Sequence, residues 1–166
     1  VVDDIKQQLD QLSERISQVE IQVTKIIDSD PDLKQNFKLA TSVRGIGPII
    51  ASYMLVTTNN FTSFDNGRQY SCFAGTAPFE ESSGLHKGGA HVSHLSDKKL
   101  KTLLSNGANS ACKCDPELKA YYQRKKQQGK IHKSIINAIS CKLVNRVFAV
   151  VKRQTPYVVV YKNNFA

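Results

Sequence analysis

Apolar residues recur through the first thirty positions in alternating steps. Ile5, Leu9, Leu12, Ile16, Val19, Val23 and Ile26 are separated by four, three, four, three, four and three residues, and polar side chains fill the intervals. Such spacing draws one stripe along a helix and defines the a/d seam of a heptad repeat, with Leu9, Ile16 and Val23 at one position and β-branched Ile5, Val19 and Ile26 at the other. The pattern predicts a coiled-coil helix over residues 1–35, paired with a second copy or with another helix of the same protein. An amphipathic helix lying on its own domain is the alternative. Asp28-Ser29-Asp30-Pro31 ends the helix, and Asp30 with Pro31 starts the next as N-cap and first-turn residues.

From there the pattern changes from a stripe to short helical blocks broken by glycine, proline and asparagine. A helix through Leu33, Phe37 and Leu39 runs into the turn Val43-Arg44-Gly45-Ile46-Gly47-Pro48, and another spans about Ile49–Thr57. A polar loop with Phe61 and Phe64 as anchors leads to a shorter helix near Asn66–Ala74. Residues 77–93 are rich in glycine and serine and read as loop or short extended segments. Three helices follow: Ser96 as N-cap to Cys112; Asp115 as N-cap and Pro116 to the Lys-rich end before Gly129; and Lys133–Arg153, burying Ile135, Ile136, Ile139, Leu143, Val147 and Val151. Tyr157–Tyr161 has the composition of an edge strand. The fold class is therefore all-α in the main: a coiled-coil helix (1–35), a helical domain (36–157) with a helix-hairpin-helix-like turn and a glycine-rich loop, and a tail (158–166).

Charge sharpens this picture. The net charge is +9, but residues 1–83 hold 7 Lys+Arg against 11 Asp+Glu (−4), whereas residues 84–166 hold 16 against 3 (+13). A half-chain so cationic attracts polyanions, and nucleic acid is the expected partner. No apolar run approaches the ~18 residues of a membrane span, and no signal peptide opens the chain, so it reads as soluble and cytoplasmic with no membrane partner. Cys72, Cys112, Cys114 and Cys141 lack the spacing of a zinc site and read as reduced thiols, so no metal ligand is assigned.

Three groups of residues carry candidate chemistry. Arg44, Gly45 and Gly47 lie in a turn whose following helix begins at Pro48. Two glycines bring backbone amides close to an oxygen ligand, and the positive helix end suits a phosphate. A plain helix–helix turn is the alternative. Ser82-Ser83-Gly84 precedes a basic strip of His86, Lys87, His91, His94, Lys98, Lys99 and Lys101. A serine attacks a phosphodiester once its proton is removed and cations balance the extra negative charge, yet from the residues alone this is only a loop. Glu80 and Glu81 are adjacent carboxylates and a thin metal site. Lys119, Tyr121, Tyr122, Arg124, Lys125, Lys126 and Lys130 populate or flank one helix, with one tyrosine expected inward and the other touching backbone or base.

The order Gly45-Ile46-Gly47-Pro48, Phe73-Ala74-Gly75-Thr76-Ala77-Pro78-Phe79-Glu80, Ser82-Ser83-Gly84, Val92-Ser93-His94-Leu95 and Asp115-Pro116-Glu117-Leu118 resembles the insertion sequence one-ten (also one-sixteen and nine-oh-two) transposase family over about Lys38–Tyr157. The resemblance implies a transposase C-terminal domain with Ser83 as nucleophile (Ser82 the alternate) and nucleic-acid contacts at Arg44, Gly45, Gly47, Lys87, Lys98, Lys99, Lys101, Arg124 and Lys125. It implies DNA and a structured element-encoded RNA as partners, and a homo-oligomer formed through the coiled coil. Mg²⁺ belongs to an acidic N-terminal domain that this chain, beginning at Val1, does not carry. No cofactor is therefore expected within it, nor strand transfer by it alone. The Ser83–Val92 stretch departs from the family in being short, with Gly88-Gly89 and little arginine. A helix-hairpin-helix module without chemistry and a coiled-coil assembly domain are the competing readings.

Overall fold

The computed structural model describes the backbone of residues 2–77, 79–83, 86–91 and 95–158, and the side chains of all these except 79–83 and 86–91. The chain divides into two compact units, Val1–Gln35 and Asn36–Ala166.

The first unit is dominated by α1 (Val2–Ser29). Asp3 and Asp4 sit in its first turn, where negative charge suits the exposed amides of a helix start. The heptad stripe forms as the spacing requires, and Val2 extends it by one position. Yet all of its members are exposed, from 36% at Val23 to 64% at Ile26 among Ile5, Leu9, Leu12, Ile16, Val19, Val23 and Ile26. At Asp30 the carboxylate accepts from the Asp32 and Leu33 amides at 2.8 and 3.0 Å, capping α2 (Pro31–Ser42) as expected.

In the second unit, the core is built around α7 (His132–Arg153), which packs on α4 (Gly67–Phe73), α5 (Lys98–Cys114) and α6 (Pro116–Gln127). All six of its expected core residues are buried, together with Ser140, Val144 and Val150. The buried Ser140 hydroxyl is satisfied by sharing its proton between the Ile136 and Leu104 carbonyls. Among the described residues, α7 is also the one helix long and apolar enough to cross a membrane. Half of that stretch is buried, as suits a central core helix. Leu39 and Ala40 of α2, Ala51 and Met54 of α3 (Pro48–Thr57), Tyr70 of α4, and Leu100, Leu104 and Ala108 of α5 join the cluster.

Phe61 and Phe64 do anchor the polar loop. Phe61 meets Phe148 edge-on at 5.3 Å, and Phe64 meets Tyr70 at 5.1 Å. The cap expected at Ser96 is instead Asp97, whose carboxylate accepts from the Leu100 amide. An aspartate that also holds a tyrosine outcompetes a neighbouring serine for that place. Asp115 caps α6 as expected, and Gly129 follows it at φ +77°. Of the two options open for the glycine-rich stretch, extended segments form: β1 (Phe79–Ser83) pairs antiparallel with β2 (His86–His91), with an irregularity between Glu80 and Ser82. Tyr157 and Val158 form no strand, and the rest of the expected Tyr157–Tyr161 edge lies outside the described residues.

Candidate nucleic-acid interface

The hairpin leaves the helical core and returns to it at one place. The Asp97 amide donates to the Phe73 carbonyl at 3.0 Å, while the Thr76 and Ala77 amides both donate to the Ser71 carbonyl. The root of the excursion is thus fixed to the end of α4 and the start of α5. Ser83 ends β1 opposite His86, and Ser82 stands opposite Lys87 in the ladder. His94 lies outside the described residues.

Lys98, Lys99 and Lys101 occupy the first turn of α5, directly after this root, with no acidic residue among them. Cations at a helix N-terminus oppose its dipole, so the arrangement weakens the helix start and favours an anion bound there. The Lys99 ammonium lies 5.5 Å from the centre of the Tyr53 ring, and the Tyr53 hydroxyl donates to Asp97 at 2.8 Å. That hydrogen bond, with burial behind it, raises the Tyr53 phenol above its ordinary value. Burial pushes the Asp97 carboxyl up, but donation from the Leu100 amide, the Tyr53 hydroxyl and the Lys99 amide outweighs it and leaves the group lowered. Neither Tyr53 nor the Asp97 cap was singled out from the sequence. The tyrosine is 44 residues away from the aspartate, beyond the reach of any local pattern.

The turn between α2 and α3 is built as the glycines suggest. Gly45 adopts φ +95°, Val43 and Ile46 are buried, and the Ile46 amide closes the turn on the Val43 carbonyl at 2.9 Å. No side chain caps α3, whose positive end opens beside a cleft of about 540 Å³ between the turn and α5. Gly47, Ile49, Leu103, Asn106 and Ser110 line it. Arg44 does not point freely at a ligand: its guanidinium donates to the Cys114 carbonyl at 2.7 Å, satisfying the C-terminal end of α5. It remains exposed.

These candidates do not form one cluster. Lys98–Lys101 and the hairpin root share one end of α5, whereas Arg44 is tied to the other end, sixteen residues or roughly 24 Å along the helix. Arg124 and Lys125 lie on α6, around Tyr121, at 5.6 and 6.0 Å from its ring centre. Neither tyrosine of the adjacent pair stands free. Tyr121 and Tyr122 both flank the core, and the Tyr122 hydroxyl hydrogen-bonds His132 Nδ1 at 2.9 Å. Nearby, Asp115 is wholly buried and accepts from Arg146 at 2.8 Å, while Arg146 also reaches Glu117 and the Tyr157 ring.

All four cysteines are free, and Cys114 is exposed rather than packed. Burial, with Cys114 and Asp115 adding to it, raises the Cys112 thiol above its ordinary value. Among the described residues no three His, Cys, Asp or Glu side chains come together as a metal site. The side chains of Glu80 and Glu81 lie outside the description.

The sequence that builds this surface has counterparts among known proteins. An insertion-element IS110 43.6 kDa protein of Streptomyces coelicolor is 27% identical over 157 residues, covering 95% of this chain and 38% of that protein. A probable family 20 transposase of Pseudomonas aeruginosa is 27% identical over 158 residues, covering 93% of this chain and 45% of the relative. A pilin gene-inverting protein of Moraxella bovis is 28% identical over 148 residues, covering 87% and 46%. The chain thus spans under half the length of these relatives. Residues 38–123, from the end of α2 through the hairpin to α6, match the family model described as Transposase IS116/IS110/IS902, and the chain belongs to that family.

Proposed function

We propose that the chain is the C-terminal part of a DNA transposase, binding DNA and a structured RNA and contributing Ser83 as nucleophile. The observation that carries the reading is the root of the hairpin. The segment bearing Ser82 and Ser83 is fixed where Lys98, Lys99 and Lys101 crowd the first turn of α5, with the Asp97 cap the one acid beside them among the described residues. Such a place favours phosphate. In the step itself, Ser83 Oγ gives up its proton to a base and forms an O–P bond, while the sugar oxygen leaves the phosphorus and takes up a proton. The chain is joined to DNA, no oxidant or reductant is needed, and a second strand's hydroxyl can reverse the link. Mg²⁺, which the family resemblance assigns to an acidic domain outside this chain, would stabilise charge at the phosphorus when bound. Pilin gene inversion is the activity named for the Moraxella relative, and the reading extends DNA rearrangement of that kind to this chain as part of a cytoplasmic bacterial enzyme.

Ser83→Ala, supplied in trans with the acidic domain, should abolish recombination and the denaturant-resistant protein–DNA adduct, while Ser82→Ala retains both. Normal recombination by Ser83→Ala would remove the serine from the mechanism and leave a helix-hairpin-helix-like binding module.

A second role is favoured by the uncovered stripe on α1. Seven heptad positions exposed by 36–64% are costly to leave in water, and we propose that a second copy covers them in a homo-oligomer.

A further inference from the structure

The α6–α7 face carries a feature that neither helix shows alone. The Lys142 ammonium of α7 sits 4.8 Å from the centre of the Tyr121 ring, joining Arg124 and Lys125 of α6. Three cations therefore converge on one aromatic ring. Within this unit the ion pairs among the described residues belong to Arg146, which holds Asp115 and Glu117. The carboxylates closest in sequence are thus already engaged, and among the described residues the Lys125 ammonium donates to the neutral Gln128 amide oxygen, at 2.9 Å. Attraction to the ring offsets part of the mutual repulsion, by about 0.5–1 kcal/mol per exposed cation, but neutralises none of it.

We infer that Tyr121, Arg124, Lys125 and Lys142 form a clamp for a phosphate of duplex DNA, and that Tyr121 orients the cations instead of stacking on a base. The inference rests on the proposal above that this chain binds DNA, and adds where and how one backbone phosphate is held. Single strands are gripped largely by stacking bases on free aromatic faces. Here the Tyr121 ring is half-buried against the core and already faces Lys142, while Tyr122 is bonded to His132. What remains available is a set of N–H donors with positive charge, which suits phosphate oxygens and ignores sequence.

The test is a fluorescence-anisotropy titration of the 166-residue chain against two short labelled duplexes of unrelated sequence and one matching single strand, across salt. Lys142→Met keeps the unbranched stem and removes the charge. One lost phosphate contact lowers the salt slope by about 0.9, which is on the order of eight-fold in affinity at about 0.1 M salt and three-fold at about 0.3 M. The expected result is that loss on both duplexes alike. Circular dichroism confirms the fold of the variant, and Lys142→Gln serves if Met misfolds. A duplex affinity and slope unchanged from the parent would overturn the clamp while leaving DNA binding intact. Loss on one duplex alone would make Lys142 a base reader, and tighter binding of the single strand, lost in the variant, would point to stacking; either overturns the inference. Failure of the parent chain to bind either duplex overturns both this inference and the reading beneath it.

Discussion

The close seating of the 43–48 turn on α5 makes a graded prediction from four glycines. A Cβ on Gly45 would lie 2.6 Å from the Gly107 carbonyl oxygen and 2.7 Å from the Ala111 Cβ, and the residue already sits at φ +95°. Left-handed backbone costs an alanine about 1–2 kcal/mol, and forcing extra volume into packed backbone about 1–3 kcal/mol more. Gly45→Ala should therefore lose about 2–5 kcal/mol. A unit of this size melts about 4 °C lower per kcal/mol, giving a fall of about 8–20 °C. Gly107→Ala meets the Gly45 carbonyl oxygen and the Ile50 side chain, but gains about 1 kcal/mol of helix propensity, so its net loss is smaller. Gly129→Ala suffers only the strain of φ +77°, with nothing within 4 Å, about 1–2 kcal/mol. At Gly47 a Cβ meets nothing within 4 Å and the backbone is extended, with φ −83° and ψ 174°, so alanine should change stability by about 0.5 kcal/mol or less. Thermal melting by circular dichroism, checked by urea denaturation, measures all four. If Gly45→Ala melted with Gly47→Ala, or above Gly129→Ala, the argument that the turn is wedged against α5 would be wrong.

Two further outcomes follow from packing and charge. Arg146→Met should cost about 3–5 kcal/mol in urea denaturation, because it strands the fully buried Asp115 carboxylate. Glu117→Gln removes only an exposed partner and should cost under about 1 kcal/mol; equal losses would show that Asp115 does not depend on Arg146. Placing aspartates at Leu12 and Val19 together should convert the whole chain from oligomer to monomer in sedimentation velocity. A monomeric parent chain would refute assembly through α1.

How much was legible in the sequence depended on how local the cause was. The α1 stripe, the Asp30 and Asp115 caps and the buried face of α7 all follow from residues three or four apart, where helix geometry makes spacing decisive. The Ser96–Asp97 choice went the other way because Tyr53, far off in the chain, adds a hydrogen bond to the aspartate. Arg44 was read as a phosphate ligand from its place beside two glycines, yet its guanidinium finds a carbonyl 70 residues away. Likewise Lys142 passed as one lysine on a core helix, since only the crossing of α6 and α7 sets it over Tyr121. The candidate nucleophile itself came from an ordered set of short motifs rather than from any physical signal in Ser-Ser-Gly.

The hydrogen bond from the Asp97 amide to the Phe73 carbonyl has an evolutionary corollary. Because the chain departs and re-enters at adjoining points, an insert of another length could be exchanged there while the helices keep their places. Closing a longer loop between fixed ends adds only about 0.6 kcal/mol for each doubling. Such a root makes a natural cassette, in which the inserted hairpin can change while the helices that hold it stay as they are.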